Sequence, residues 1–440
     1  MKYERLKIGD FLYRSKIPIG IISSQIYKRV TIRINHNGVF LRDEALGEII
    51  GTKKQFILKA GQFILSKIDA RYGAFGIAPD EVDGAIITGN FWAYDVDKNK
   101  VDIEWFNFFT NSPSFYDVCE RASSGITHRK YLDEETFLDY EIIVPDVETQ
   151  KTIVKRIKKN KFDISTVILE IQHQFDLIHN LRQAFLREAM QGKLVLQDIN
   201  DEPASVLLER IKKVKQQLVA DGKIKKEKPL PPIKPEEIPY KIPGNWVWCR
   251  LGDICSKIGS GSTPKGSNYS NDGIPFFRSQ NVHNNGILND DIKYISKEVH
   301  SDMRGTVVYT EDLLLNITGG SLGRCALVQN TFEEGNVSQH VCIIRPLLIS
   351  SFFLHKVILS PYFQKLIFSS TTGAGREGLP KYNLENFPIP LPSQSEQQRI
   401  VNKLDELMRY FDELEQNVKT SKEQTEMLLQ TVLKEALEGN

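Results

Sequence analysis

The side chains best suited to chemistry lie in five polar, glycine-containing stretches of the second half: GSGSTPKGSNY (259–269), RSQNVHNNG (278–286), NITGGSLGR (316–324), NVSQH (336–340) and TTGAGREGLPK (371–381). Small residues let backbone N–H groups approach phosphates, while Arg, Gln and Asn offer paired hydrogen bonds to guanine and adenine edges. The candidates for nucleic-acid contact are therefore Thr263, Lys265, Arg278, Gln280, Asn281, Asn316, Thr318, Arg324, Gln339, His340, Thr372, Arg376 and Lys381. In the first half the equivalents are Ser66, Lys67, Arg71, Tyr72, Asn90, Trp92, Ser124, Thr127, Arg129 and Lys130, with His128 among them. Each residue taken singly is also an ordinary turn former; it is the recurrence of the pattern that points to nucleic acid.

Catalytic readings find less support. No GxxxxGK[ST] phosphate loop occurs, and GAGREG (373–378) runs into LPKYN instead of opening a helix after a strand, so it reads as a turn. His128, His283 and His340 have no metal-ligand spacing, no Asn/Asp-Pro-Pro-aromatic tetrapeptide is present, and Glu134 with Glu135 reads as a solvated helix face. Cys119, Cys249, Cys255, Cys325 and Cys342 are odd in number and form no CxxC pair, which argues for reduced, structural thiols. The sequence assigns no catalytic residue, no metal and no cofactor to the chain.

The elements that must position these loops form a repeat. VPDVETQKTIV (144–154) returns as LPSQSEQQRIV (391–401), and the interval from Pro145 to Pro392 equals that from Gly192 to Gly439. Both phrases read as helix starts, capped by Asp146 in the first copy and by Ser393 or Ser395 in the second, where Glu396 or Gln398 completes a capping box. Apolar residues then recur at alternating steps of four and three: Ile153, Ile157, Ile164, Val167, Ile171, Ile178, Leu181 and Phe185 in the first copy, broken by Asn160 and Gln174. The second carries Ile400, Leu404, Leu407, Phe411, Leu414, Val418, Leu428 and Val432, broken by Ser421 and Thr425. That is a coiled-coil seam on a helix of about 40 residues and about 60 Å. The two copies are expected to pair within the chain; covering a neighbouring domain or a second chain is the alternative. Ahead of each helix, ILSKIDARYGAFGIAP (64–79) parallels LLLNITGGSLGRCALVQ (313–329) as strand, glycine turn, strand, and SSGITHRKYL (123–132) parallels TTGAGREGLPKYN (371–383).

The expected organisation is a mixed α/β domain over 1–143, a long helix over 144–192, a short helix and linker over 193–244, a second domain over 245–390 and a second long helix over 391–440. The linker helix has Pro203 in its first turn, and the Lys/Pro-rich run DGKIKKEKPLPPIKPEEIPYKIPGNW reads as a solvated tether or, alternatively, a phosphate-facing strap. With 440 residues, 41% hydrophobic, and a formal charge of +1, the chain suits two or three packed domains and is no polycation; any nucleic-acid site must come from local clustering. Neither a signal-peptide core nor a membrane-length apolar run is seen, so a cytoplasmic location is expected.

This arrangement resembles the specificity subunit of type I restriction-modification systems. The likeness rests on LPSQSEQQRIVNKLDEL, LREAMQGKLVLQDINDEPASVLLERIK, DGKIKKEKPLPPIKPEEIPYKIPGNWVWCRLGDI and GSGSTPKGSNYSNDGIPFFRSQNV, and spans nearly the whole chain. The first domain departs from it, opening on LKIGDFLYRS without the Pro-x-x-Trp lead of IPGNWVWCRLGD, and QTEMLL is a less typical helix ending than LRQAFL. The resemblance implies two target recognition domains, each reading half of a bipartite double-stranded DNA target, held apart by the helices packed as an antiparallel coiled coil. It further implies two methylation subunits carrying S-adenosylmethionine and motor-nuclease subunits using ATP and Mg, with this chain choosing the site and catalysing nothing. The other reading of the residues is a coiled-coil protein-interaction adaptor.

Overall fold

The computed structural model describes residues 3–126, 129–329, 334–371 and 378–438, apart from the side chains at 126, 129, 267, 433, 434 and 436–438. It divides into two compact units, Met1–Gln172 with Thr420–Asn440, and His173–Lys419.

In the first unit Tyr3–Lys7 pairs antiparallel with Glu141–Pro145, the strand that leads into the long helix Val147–Met190. A four-stranded sheet runs in the order Leu12–Ser15, Phe91–Val96, Phe63–Ser66, Phe75–Ile77. The run FILS at 63–66 is apolar without alternation because this sheet is covered on both faces. Phe63 and Leu65 enter an aromatic core with Phe11, Trp105, Phe106, Phe115 and Phe137, whereas Ile64 faces a second, five-stranded sheet through Val30, Val39 and Ile87. The aromatic core carries direction as well as area: Phe63 meets Phe106 and Phe75 meets Phe115 edge-on, at 5.0 Å in both cases. The helices supplying it, Ile103–Phe109 and Pro113–Arg121, start where Asp102 and Ser112 accept hydrogen bonds from first-turn N–H groups.

The second unit repeats this plan. Val247–Arg250 pairs with Pro388–Leu391 ahead of the second long helix, Gln394–Glu438. Its four-stranded sheet follows the same order: Cys255–Ser260, Val341–Pro346, Leu313–Asn316, Cys325–Leu327. Leu313 and Leu315 face the helices Ser351–Leu359 and Pro361–Ser369, and Leu314 faces the second sheet. Each second sheet contains one parallel pair, Arg29 beside Ile86 in the first unit and Phe276 beside Asn336 in this one. All five cysteines are free and buried, and burial pushes the thiols of Cys119 and Cys342 up to about 12.

The long helices begin at the expected caps. Asp146 accepts from Thr149 N at 2.9 Å, and Ser393 Oγ from Glu396 N at 3.1 Å. Glu396 does not serve the cap as a box would; its buried carboxylate accepts from Trp246 Nε1 at 2.8 Å and from Gln197. Gly192, at φ +67, ends the first helix against Pro243, where a Cβ would collide.

In the second unit the two helices run antiparallel, with Phe185 beside Phe411 (ring centroids 5.7 Å) and Arg182 reaching Asp412 and Glu415 at 2.7 and 2.9 Å. Only one of the two seam lines is deeply covered. Ile157, Ile164, Ile171 and Ile178, seven apart, are buried, as are Leu404, Phe411 and Val418, and Phe185 and Val432 continue these lines half-buried. On the other line Val167, Leu181, Leu414 and Leu428 keep 45% to 55% of their surface and Ile153 and Leu407 are half-buried, while Ile400, at its start, is buried against its own domain. The exposed line is the one carrying Asn160, Gln174 and Ser421, whose polar groups would have to be paired if it closed.

The linker differs from a solvated tether. Ala204–Ala220 is helical with Pro203 as its N-cap, one position before the helix proper. The following Lys/Pro run is fastened to the domain by Arg250, which is buried. Its guanidinium donates to the carbonyls of Pro231 (3.1 Å), Pro232 (3.0 Å) and Asn386 (2.6 Å), and to both Glu237 oxygens at 2.7 and 2.9 Å. Arg250 holds the Glu237 carboxyl down to about 2. Proline-rich backbone has carbonyls to spare because it lacks N–H donors, and a planar five-donor side chain can collect them.

Candidate nucleic-acid interface

In both units three loops meet at one end of the two central strands of the four-stranded sheet, joined through the residue after a strand. Ser66 faces Phe91 across the first sheet, so Lys67 N donates to Asn90 O at 2.9 Å, and Leu132 N donates to Lys67 O at 2.8 Å. In the second unit Asn316 faces Val341, Ile317 N donates to His340 O at 3.0 Å, and Leu379 N donates to Ile317 O at 2.9 Å. Sequence stretches that matched only loosely thus occupy the same node of the same sheet, and the candidate residues gather there.

Around Lys67 the ammonium lies 5.8 Å from the Tyr131 ring, and Arg71 lies over Tyr72 at 5.0 Å. Arg71 and Lys130 share Glu120, at 3.6 and 2.8 Å, and together they hold its carboxyl below the usual range, Lys130 most strongly. Tyr72, Asn90 and Ser124 are exposed. Ser66 is buried, its hydroxyl accepting from Asp69 N at 3.2 Å, and Trp92 is buried beneath Arg14. Those two support the site instead of presenting themselves. Thr127 and the Arg129 side chain lie outside the described residues, as does His128. Arg14 and Glu134 escaped sequence reasoning. Arg14 stacks on Trp92 and Tyr94 and donates to Glu134 at 2.8 Å, and Tyr94 donates to the same carboxylate at 3.2 Å. Glu134, read as a solvated face, is the anchor of that stack; the two residues stand 120 positions apart, so no local pattern pairs them.

In the second unit Asn316 is the hub. It is fully buried, and its Nδ2 donates to Ser279 O at 2.8 Å and Ser321 Oγ at 3.1 Å, tying together loops 278–286 and 316–324. Asn281, also fully buried, closes its own turn by accepting from Arg278 N at 3.0 Å and donating to Leu288 O and Asp290 O. Asn284, absent from the candidates, accepts from Cys325 N at 3.1 Å. Thr263 donates to Gln339, Thr318 pairs with His340 at 2.7 Å, and a Cβ at Gly261 would collide with the Val337 carbonyl, so loop 259–263 must lie against the strand. Lys265, Gln280, Arg324, Gln339 and His340 are exposed. Arg278 and Gln280 both donate to Asp291 at 2.9 Å, and Lys381 pairs with Glu227 and Glu385 at 2.8 and 3.0 Å. With Lys293 as the largest influence, followed by Arg278 and Gln280, the Asp291 carboxyl is drawn down to about 2. Thr372 and Arg376 lie outside the described residues.

The candidates therefore sort by what they have to offer. Lys67, Lys265 and Arg324 form no ion pair among the described residues, whereas Arg71, Lys130, Arg278 and Lys381 have carboxylate partners to exchange for a phosphate or a base edge. Among the described residues no three His, Cys, Asp or Glu side chains stand together as a metal site, and no helix is long and apolar enough to cross a membrane.

A duplicated mixed α/β domain, each copy presenting a polar three-loop cluster and continuing into a long helix, defines the class of protein. The family model described as the Type I restriction modification DNA specificity domain matches residues 4–176 and 243–423, and the chain belongs to that family. Over 274 residues it is 35% identical to the type I restriction enzyme EcoAI specificity subunit of Escherichia coli, covering 58% of this chain and 44% of that one. The chain spans under half the length of that relative and of the EcoEI specificity subunit of the same organism, which is 30% identical. A structure described as the basis of complex assembly and conformational transition of the type I R-M system shares the fold, with TM-score 0.60 at 17% identity over 99% of this chain and 98% of that one. The HsdS subunit from Thermoanaerobacter tengcongensis does so with TM-score 0.53 at 17% identity, over 99% and 97%.

Proposed function

We propose that this chain is the DNA sequence-recognition subunit of a type I restriction-modification complex, with each unit reading one half of a bipartite double-stranded target. The observation that carries this reading is the repeated node at Lys67 and Ile317, where two sets of polar loops gather at equivalent strand ends of the two four-stranded sheets. A protein that reads two half-sites needs the same reading head twice with different side chains, and the loops differ while their backbone anchors do not. Backbone N–H groups, Lys67 and Lys265 meet phosphates; Arg324, Gln280, Gln339 and Asn90 reach base edges.

The chain selects the site and makes no bond itself. Two methylation subunits dock along the long helices, and motor-nuclease subunits join them; S-adenosylmethionine, ATP and Mg belong to those partners, and the complex works in the cytoplasm. The exposed seam line Val167, Leu181, Leu414 and Leu428, with Phe162, Leu169, Leu177 and Tyr410 also exposed on the same helices, supports a protein partner along them. The paired helices serve as the spacer that holds the half-sites apart.

The test is an adenine-methylation map of the source genome with and without this gene. Disappearance of one gapped, two-part motif is the expected result. In a cell whose partner genes are expressed, an unchanged map would overturn the proposal, and purified chain showing no sequence-selective, salt-dependent DNA binding would direct attention to the adaptor reading.

A further inference from the structure

Each long helix is bolted to its own domain by a buried glutamine in its first turn. Gln150 and Gln397 hold corresponding places in the two repeats, and both are fully buried. Gln150 Oε1 accepts from Asp102 N at 2.6 Å, while its Nε2 donates to Lys100 O at 3.0 Å and to Pro145 O at 2.7 Å. Gln397 Oε1 accepts from Ser350 N at 2.9 Å, and its Nε2 donates to Pro392 O at 3.1 Å. Asp102 and Ser350 are themselves N-caps, of the helices Ile103–Phe109 and Ser351–Leu359. Those caps follow the strands Phe91–Val96 and Val341–Pro346, whose opposite ends carry Asn90 and His340 at the candidate interface.

The mechanical path is therefore the same in both units: reading loop, strand, helix cap, glutamine, long helix. Aliphatic burial alone sets the register of a helix against its domain less sharply, because the hydrophobic effect itself is non-directional. A primary amide whose donor and acceptor are both engaged in a buried site admits one register, since any shift leaves a buried polar group unpaired.

We infer that Gln150 and Gln397 are positioning residues that fix each reading domain on its own long helix, and thereby the spacing at which the half-sites are read; the inference rests on the function proposed above. The glutamines touch no DNA. Their effect is on where the loops are held, not on which base they prefer.

The experiment uses the full chain assembled with its methylation and motor-nuclease partners and a library of targets in which both half-sites are intact while the intervening length varies by one base pair either way. Gln397→Met and Gln150→Met keep the side-chain length and remove the hydrogen bonds. Each should cut the preference for the native spacing about ten-fold while discrimination against single-base changes within either half-site stays as in the wild type. Val357→Ala, a core truncation in the second domain, serves as the control that lowers thermal stability without changing the spacing preference. If Gln397→Met fails to fold, Gln150→Met tests the same inference in the other repeat. Unchanged spacing preference in a folded variant would overturn it, as would relaxed base discrimination with spacing retained. A wild-type complex showing no preference for any bipartite sequence would overturn the proposed function itself, and this inference with it.

Discussion

At the scale of single residues, exposure and existing partners separate readers from supports. Arg324 is exposed and forms no ion pair among the described residues, so its guanidinium is available without breaking anything. Arg324→Ala should weaken recognition of the second half-site by roughly ten-fold or more and leave the first half-site unchanged, as measured by methylation of substrates mutated in one half at a time. An equal loss at both halves would contradict independent reading. Asn316 behaves differently, being buried and holding two loops through Ser279 and Ser321. Asn316→Ala should lower the stability of the second unit by about 1–3 kcal/mol, seen in chemical denaturation of the purified chain, because the carbonyl and hydroxyl it serves lose their donor.

At the scale of elements, the helices separate packing from docking. Ile171 lies on the covered line and Leu414 on the open one. Ile171→Ala should cost about 2–4 kcal/mol of stability in the isolated chain. Leu414→Ser should stay within about 0.5 kcal/mol there and instead weaken assembly with methylation subunits, as read by analytical ultracentrifugation of the mixture. A large stability loss for Leu414→Ser would mean that the open line is closed in solution by the chain itself.

At the scale of the whole molecule, buried ionisable groups set the pH range of folding. His355 donates from Nε2 to Cys325 O at 2.9 Å, which places the N–H on that nitrogen, and burial pulls its pKa down from 6.5 to about 4. The nearby charges, Lys356 and its partner Asp405, act in opposite directions and are secondary. A histidine depressed in the folded state contributes stability that is full above 6.5 and is lost progressively as pH falls from there toward 4. The thermal midpoint of the second unit should therefore drop between pH 7 and pH 5, and His355→Gln should flatten that slope. An identical slope in the variant would assign the acid sensitivity to other groups.

The repeat, the two helix starts and the strand–glycine–strand units could all be read from one chain, because each is a local pattern written twice: Pro145 with Pro392, Asp146 with Ser393, ILSKIDARYGAFGIAP with LLLNITGGSLGRCALVQ. The polar loops were legible as a set for the same reason. Which members face outward was not, since Asn281 and Asn316 look no different from Gln280 and Gln339 until the strands are paired and the turns closed. Heptad spacing identified both lines of the seam, but only packing decided that the line interrupted by Asn160, Gln174 and Ser421 stays open. The linker's lysines and prolines spoke for a tether because composition records what a segment is made of; the buried guanidinium of Arg250 that binds its carbonyls comes from a strand further along the chain. Sequence by itself determined the periodic elements, whose forces act between near neighbours, while tertiary structure decided every partner that arrives from a distance.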